Sequence, residues 1–449
     1  MNKPLFTIAS GFRTVTLGCR VNQYETESIE AGLRLAGWEP AKTEQPAALY
    51  IINTCTVTAK AAMQSRQAVR HAIRANPEAA IIVTGCCVQA EPDVFSEIPG
   101  VHWIVGNTDK HRIPDLLAEG PLIPANPPQL CRQRIRAMTC LPETALPAAK
   151  SRARPYLKIQ DGCDDFCSYC IVPHTRGPSR SLPLETALSS IRQMARQGAK
   201  EVVLTGIHTG RYGLDLTPQT SLCRLLRQID AEAAVERVRL SSIEPGELTP
   251  EIIQMARENA RICPHFHIPL QSGDAGILQK MKRPYSPALF SELVMRIHEK
   301  LPHAAIGVDV MAGFPGEDEA AFSNTYDLLA RLPITYLHVF PFSPRPPTPA
   351  SRASGQVPAP VIKSRCARLR SLSRAKRSEF YQRQIGSRTE VILEDRRDRE
   401  TGYLKGISAN YLTVLTDAPD HNKNTRISCR LTGPVVDGGI IGQQTVAAE

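Results

Sequence analysis

The sequence predicts an α/β protein in three parts: an N-terminal doubly wound parallel sheet, a partial (βα)6 barrel and a small C-terminal β-barrel. Short apolar runs alternate with helical patterns over residues 13–118 and again from 155 to about 342, as expected for buried parallel strands joined by helices. Beyond residue 386 the helical period gives way to short β-rich runs divided by turns, the pattern of a small closed sheet. A chain of 449 residues supports two or three domains rather than one. The expected boundaries are 12–120, a linker over 121–152, 153–385 with a basic helix at its end, and 386–448.

In the first part, Arg13–Leu17, Leu49–Ile52, Ala80–Val83 and Val101–Val105 read as strands, and 24–36, 59–75 and 109–118 as helices. Residues 120–152, rich in Pro and Ala with scattered arginines, read as the linker. The barrel strands are Tyr156–Gln160, Glu201–Leu204, Arg237–Ser241, Phe266–Pro269, Ile306–Met311 and Tyr336–Phe340, six units rather than the complete eight. Thr389–Leu393, Tyr411–Leu415 and Arg426–Cys429 are the C-terminal strands.

Cysteines mark where chemistry could occur. Cys163, Cys167 and Cys170 crowd into one loop just past the first barrel strand, the end where barrel enzymes keep their active sites. Cys19, Cys55 and Cys86 each follow a strand of the first sheet, and open α/β sheets gather functional groups at those ends. Gly18 and Gly85 fit tight turns beside a bulky ligand. Thiolates select soft metals and iron–sulfur clusters. Three ligands on a four-iron cluster leave one iron open, as catalytic metal sites keep one position open. Zinc completed by His174 is the competing reading of the loop. Cys87 reads as a small buried hydrophobe, and Cys131, Cys140, Cys223, Cys263, Cys366 and Cys429 as ordinary thiols.

The N-terminus has no apolar core of signal-peptide length and no run could span a bilayer, so a cytoplasmic protein without a membrane partner is expected. In a reducing compartment the 13 cysteines favour metal binding or catalysis over disulfides. Net charge is +10, and residues 345–385 hold ten Lys/Arg against one acid, Glu379. Such a stripe marks a polyanion-binding surface or a solvated helix face. Ile362, Cys366, Leu369 and Leu372 recur at helical spacing and should pack, leaving the arginines outside.

The Cys-x3-Cys-x2-Cys loop with Tyr169 before its last cysteine resembles the signature of radical S-adenosylmethionine enzymes. The stretches Gln160-Asp-Gly-Cys163, Pro-His-Thr-Arg176-Gly177, Arg180-Ser181, His267-Ile-Pro-Leu-Gln271, Gly313-Phe-Pro-Gly-Glu317 and Phe340-Pro-Phe-Ser-Pro-Arg345 narrow the resemblance to the methylthiotransferases. The N-terminal trio, in Leu17-Gly-Cys19 with Asn22, Asn53-Thr-Cys55 and Gly85-Cys86 with Gln89, resembles that family's auxiliary-cluster domain, and the C-terminal barrel its TRAM domain. Thr16–Glu27 and Leu204–Gly210 resemble the clade acting on threonylcarbamoyladenosine in tRNA. Enzymes acting on isopentenyladenosine or on a ribosomal protein are the alternatives. Leu182 stands where the family usually has Arg, and Asp274-Ala replaces a usual Ser-Asp pair; neither is a proposed ligand.

The resemblance implies two 4Fe–4S clusters, one on Cys163, Cys167 and Cys170 that binds S-adenosyl-L-methionine, and one on Cys19, Cys55 and Cys86 that delivers sulfur. It implies radical functionalisation of adenine C2 in a tRNA anticodon loop, with a second S-adenosylmethionine as methyl source. It also implies an electron donor such as flavodoxin or ferredoxin; the sulfur donor is not legible. Tyr169, Gly206, His208, Glu244 and Gln271 are the expected cofactor-binding residues. Residues 386–449 hold eight Lys/Arg and nine Asp/Glu, so the Arg-rich helix, through Arg368, Arg370, Arg374 and Arg377, is expected to neutralise RNA phosphates. A non-catalytic, zinc-stabilised RNA-binding protein is the alternative of another class.

Overall fold

The computed structural model describes residues 11–42, 45–118, 127–147, 152–436 and 438–445, and the chain divides into two compact units. The first comprises residues up to 148 together with 160–182 and 343–351. It thus draws the barrel's cysteine loop into the N-terminal unit.

In that unit β1 (Phe12–Thr16), β2 (Leu49–Thr54), β3 (Ala80–Gly85), β4 (Trp103–Val105) and β5 (Gln129–Cys131) form one parallel sheet in sequential order. β2 and β3 are buried along their whole length, which is why they read as unbroken apolar runs. Their alternate side chains feed two cores. Ile51 and Ile82 pack with Ile29 and Leu33 of the helix Arg20–Leu35, and Ile52, Ile81 and Val83 with Val69 of the helix Ala59–Ala75. Helices therefore cover both faces. Thr58 starts the second helix, its hydroxyl accepting from the Ala61 N–H, an N-cap worth about 1 kcal/mol. A two-stranded ribbon, β7 (Gln160–Asp161) with β8 (Arg180–Ser181), closes the cysteine loop.

The linker expectation needs correction. Gln129–Cys131 add the fifth strand, and Ile135 in the following turn is buried. Alternating Leu130 and Arg132 lacked the apolar run that signals a strand, and pairing to Trp103–Val105 supplies the order instead. Residues 121–126 and 148–151 of that stretch lie outside the described residues.

The second unit holds six parallel strands: β6 (Tyr156–Lys158), β9 (Glu201–Thr205), β10 (Arg237–Leu240), β11 (His265–Gln271), β12 (Ala305–Ala312) and β13 (Tyr336–Pro341). They form two three-stranded sheets, joined where Val238 bridges Ile262 and Ser242 bridges His267. This is the expected partial barrel. β14 (Arg388–Arg397), β15 (Leu404–Ser408), β16 (Thr413–Thr416), β17 (Arg426–Val436) and β18 (Gly439–Gln444) close a five-stranded barrel around Val391, Leu393, Val414, Leu431 and Ile440.

The basic helix runs Ala359–Gln382, but not every arginine is presented outward. Arg365 is buried against Glu317 (2.7 Å) and bonded to Glu319. Arg368 is half-exposed, yet it pairs with Glu319 and lies over the Phe322 ring at 4.6 Å. Arg377 sits 5.4 Å from the Tyr336 centroid and is exposed, as are Arg370 and Arg374. Outside the helix, Arg345 is buried in the first unit, bonded to Thr56 and to Glu91. Counting charge along the sequence overstated the stripe, because these partners lie far away in the chain. No helix among the described residues is long and apolar enough to cross a membrane.

Candidate active site

Parallel register aligns the ends of β1, β2 and β3: Thr16 faces Asn53, which faces Thr84, and Thr54 faces Gly85. Cys55 and Cys86 follow the last residues of β2 and β3, and Cys19 caps the helix that starts at Arg20. Gathering the trio is thus a property of the sheet. Asn22 locks the arrangement by donating to Leu17 O (2.8 Å) and Thr54 O (3.0 Å), while Asn53 donates to Asn22 O. Ser65 Oγ holds the Cys55 backbone. Asn107 Nδ2 reaches both Cys86 Sγ (3.5 Å) and Thr175 O (2.8 Å).

Gly18 and Gly85 have φ of +100° and +101°, a region that costs other residues strain. A Cβ on Gly18 would stand 2.8 Å from Cys55 Sγ. Gly18→Ala is therefore expected to displace a ligand, cost about 1–3 kcal/mol and release the N-terminal trio's iron while sparing the loop trio's. Iron analysis after anaerobic reconstitution measures this, and full retention would contradict the contact.

In the loop, Cys163 N–H donates to Gly177 O and Cys170 N–H to Cys167 O, both at 3.0 Å. Burial pushes the Cys55 and Cys163 thiols up to about 12. Cys19 is exposed at one edge but crowded by protein elsewhere; that crowding raises its pKa, against the pull of Arg176. Such thiols are protonated at neutral pH unless a metal takes the proton's place. Cys87 is fully buried in the core packed on the helix Ala59–Ala75.

A single tetrahedral ion with thiolate bonds of about 2.3 Å would draw its sulfurs within roughly 4 Å of one another. Among the described residues neither trio is closed that far, its sulfurs not all lying within 4.8 Å of each other. Among the described residues His174 is not grouped with the loop thiols at single-ion spacing either; its ring packs edge-on to Phe166 at 5.8 Å. Two sets of three thiols are the kind of ligand that soft iron–sulfur clusters take.

Beside the N-terminal trio lies Arg176, at the end of the helix Val172–Arg176 that follows Cys170. Its side chain is 1% exposed and bonds Asp161 (2.9 Å), Glu25 (3.1 Å) and Asn22 (2.5 Å). Lys110, also buried, bonds Glu25 at 2.6 Å. Burial opposes the charge on Arg176, but Asp161 and the neighbouring thiols hold its pKa well above the ordinary value. Burial pulls Lys110 down despite Glu25. The guanidinium thus ties the loop trio's segment to the helix capped by Cys19.

A groove of about 350 Å³ opens beside these elements, lined by Gln89, Ile135, His174, Arg132, Arg134 and Arg136. Sequence reasoning placed those arginines in a linker; their alternation in Arg132-Gln-Arg134-Ile-Arg136 was the available signal.

In the second unit the other expected residues stand at adjacent strand ends: Gly206 and His208 after β9, Glu244 after β10, Gln271 at the end of β11. His208 Nε2 lies 2.8 Å from Glu247. Glu244 is bonded by Arg283, and burial raises its carboxyl pKa despite that guanidinium. Gln271 has a φ of +67°. Tyr169 lies half-buried in the cysteine loop.

Comparison with known proteins gives the family. Residues 12–106 match the uncharacterized protein family UPF0004, and 157–329 the radical SAM superfamily. The threonylcarbamoyladenosine tRNA methylthiotransferase MtaB of Bacillus subtilis (strain 168) is 38% identical over 89% of each chain. That of Aquifex aeolicus (strain VF5) is 36% identical over 87% of this chain and 94% of its own. A tRNA-2-methylthio-N(6)-dimethylallyladenosine synthase of Moorella thermoacetica is 30% identical over 95% of this chain and 98% of its own. Among solved structures, the radical S-adenosylmethionine methyltransferase TsrM of Kitasatospora setae shares the fold, with TM-score 0.55 and 16% identity, covering 76% of this chain and 77% of its own. With family models and relatives in agreement, the chain belongs to the radical S-adenosylmethionine methylthiotransferase family, alongside the threonylcarbamoyladenosine tRNA enzymes.

Proposed function

We propose that this chain methylthiolates C2 of N6-threonylcarbamoyladenosine at position 37 of tRNA. The observation that carries the reading is the joining of both cysteine trios in one compact unit by the buried Arg176. Adenine C2–H is neither acidic nor attached to a leaving group, so polar substitution has no handle. When bound, the two clusters and S-adenosylmethionine supply one-electron chemistry and a carried sulfur.

The chain's own residues bind, orient and enclose. Cys163, Cys167 and Cys170 hold one cluster, Cys19, Cys55 and Cys86 the other, and Arg176 keeps the two sets in fixed relation. Gly206, His208, Glu244 and Gln271 line the S-adenosylmethionine site, with Tyr169 beside the cluster. The threonylcarbamoyl group ends in a carboxylate, and Arg132, Arg134 and Arg136 offer cations near both trios. The target base must leave its stack to react, which is cheap in a single-stranded anticodon loop. Arg370 and Arg374 neutralise RNA phosphates in the cytoplasm, where a flavodoxin or ferredoxin supplies electrons.

Offering reconstituted enzyme tRNA bearing either threonylcarbamoyladenosine or isopentenyladenosine tests the substrate; methylthiolation of the second alone would reject the reading. Replacing Arg370 and Arg374 by Ala is expected to reduce the slope of log K against log salt by about 0.7–0.9 for each phosphate no longer neutralised. An unchanged slope in filter binding would remove those arginines from the interface.

A further inference from the structure

Three donor side chains of the second unit converge on one another, none of them a cysteine. His267 on β11, Asp309 on β12 and His338 on β13 come from neighbouring parallel strands; the register sets Asp309 opposite His338, and His267 opposite Gly307. The space over Gly307 is filled by the Tyr336 ring, which stacks beside His267 at 6.1 Å. Its Nε2 lies 3.2 Å from Asp309 Oδ1, and His338 Nδ1 lies 3.3 Å from the same oxygen. One donor atom from each of the three falls within 4.8 Å of the others.

Hydrogen bonding alone leaves this cluster incomplete. His267 is 7% exposed; its Nε2 has the Asp309 oxygen as an ion-pair partner but makes no hydrogen bond of ordinary geometry. An unsatisfied buried polar atom costs about 1–3 kcal/mol. A cation held by Nε2 and the carboxylate oxygen together would remove that cost. Bonds of about 2.1 Å at tetrahedral or octahedral angles separate neighbouring donors by roughly 3.0–3.4 Å, which the two distances match. The other nitrogen of His267 is fixed by Ser242 Oγ at 2.6 Å, and metal-ligating histidines are oriented by such a partner.

We propose that His267, Asp309 and His338 bind one divalent transition-metal ion. Two imidazoles and one carboxylate suit Mn, Fe, Co or Zn. Three protein ligands leave coordination positions open on the side of His338, whose side chain is 48% exposed, where an oxygen donor from water or a bound molecule completes the shell. The site shares no residue with either thiolate trio, so it stands or falls separately from the cluster chemistry.

Mn(II) is the probe. Cluster-loaded, full-length protein is titrated anaerobically with Mn(II) while the electron paramagnetic resonance of the unbound ion is followed. About one ion should bind per chain, with imidazole nitrogen coupling in the bound-ion spectrum. Asp309→Asn and His338→Ala should each weaken binding by about tenfold or more, at unchanged iron content. His338 is exposed enough that its variant decides the matter should Asp309→Asn fail to fold. Equal Mn(II) affinity in wild type and His338→Ala, bound Mn(II) without nitrogen coupling, or no binding at all would each overturn the site.

Discussion

Replacing Cys163, Cys167 and Cys170 together by alanine is expected to abolish S-adenosylmethionine cleavage while about half the iron remains. The two trios hang on different elements, one on a short loop and the other on the ends of three parallel strands. Losing the loop's thiols removes one cluster's anchors without touching the sheet that aligns the rest. The complementary triple replacement of Cys19, Cys55 and Cys86 is expected to spare cleavage and end transfer of sulfur to the base. Two measurements decide: iron per chain, and the yield of 5′-deoxyadenosine against methylthiolated nucleoside. Cleavage that survives the loop replacement, or product that survives the sheet replacement, would reverse the assignments.

The second large effect concerns Arg176. Its guanidinium is 1% exposed and neutralises Asp161 and Glu25, so Arg176→Met leaves two buried carboxylates short of a partner. Breaking a buried ion pair from one side costs about 3–5 kcal/mol. Lys110 still bonds Glu25 at 2.6 Å, which limits the loss on that side and leaves Asp161 the more exposed to it, with Arg180 3.9 Å away. Loosening this tie also frees the loop trio's segment from the helix capped by Cys19. The variant should melt at lower temperature, and in surviving protein cleavage should continue while methylthiolation falls, because each cluster keeps its own thiols. Arg176→Lys should recover part of the stability but not the bidentate geometry. A variant matching wild type in melting and in coupling of cleavage to product would leave Arg176 without the role given to it.

How much of this was legible in the sequence depended on whether the controlling interaction was local. Leu49–Thr54 and Ala80–Gly85 announced themselves because both faces of those strands are buried. The helix Ala59–Ala75 was legible to the residue, with its capping Thr58 in place. The thiolate trios were legible because their spacing, or their repeated place after strands, is itself the geometry. Leu404–Ser408 and Gly439–Gln444 were not. Each is short, contains glycine and becomes a strand only by pairing within the closed barrel. The basic stripe misled for the same reason: Arg345 and Arg365 look like their neighbours until Glu91 and Glu317 are brought against them by folding. Arg176 was visible within a motif, but nothing in that motif says that its partner is Glu25, 151 residues away.

The account rests on two thiolate-held clusters cooperating on one base, and the tRNA of cells lacking this chain tests it most directly. Mass spectrometry of the nucleosides should show unmodified threonylcarbamoyladenosine accumulating at position 37, with its 2-methylthio derivative restored by wild-type chain and by neither cysteine-triple variant. Undiminished 2-methylthio-threonylcarbamoyladenosine in the deletion, or its restoration by either variant, would contradict it.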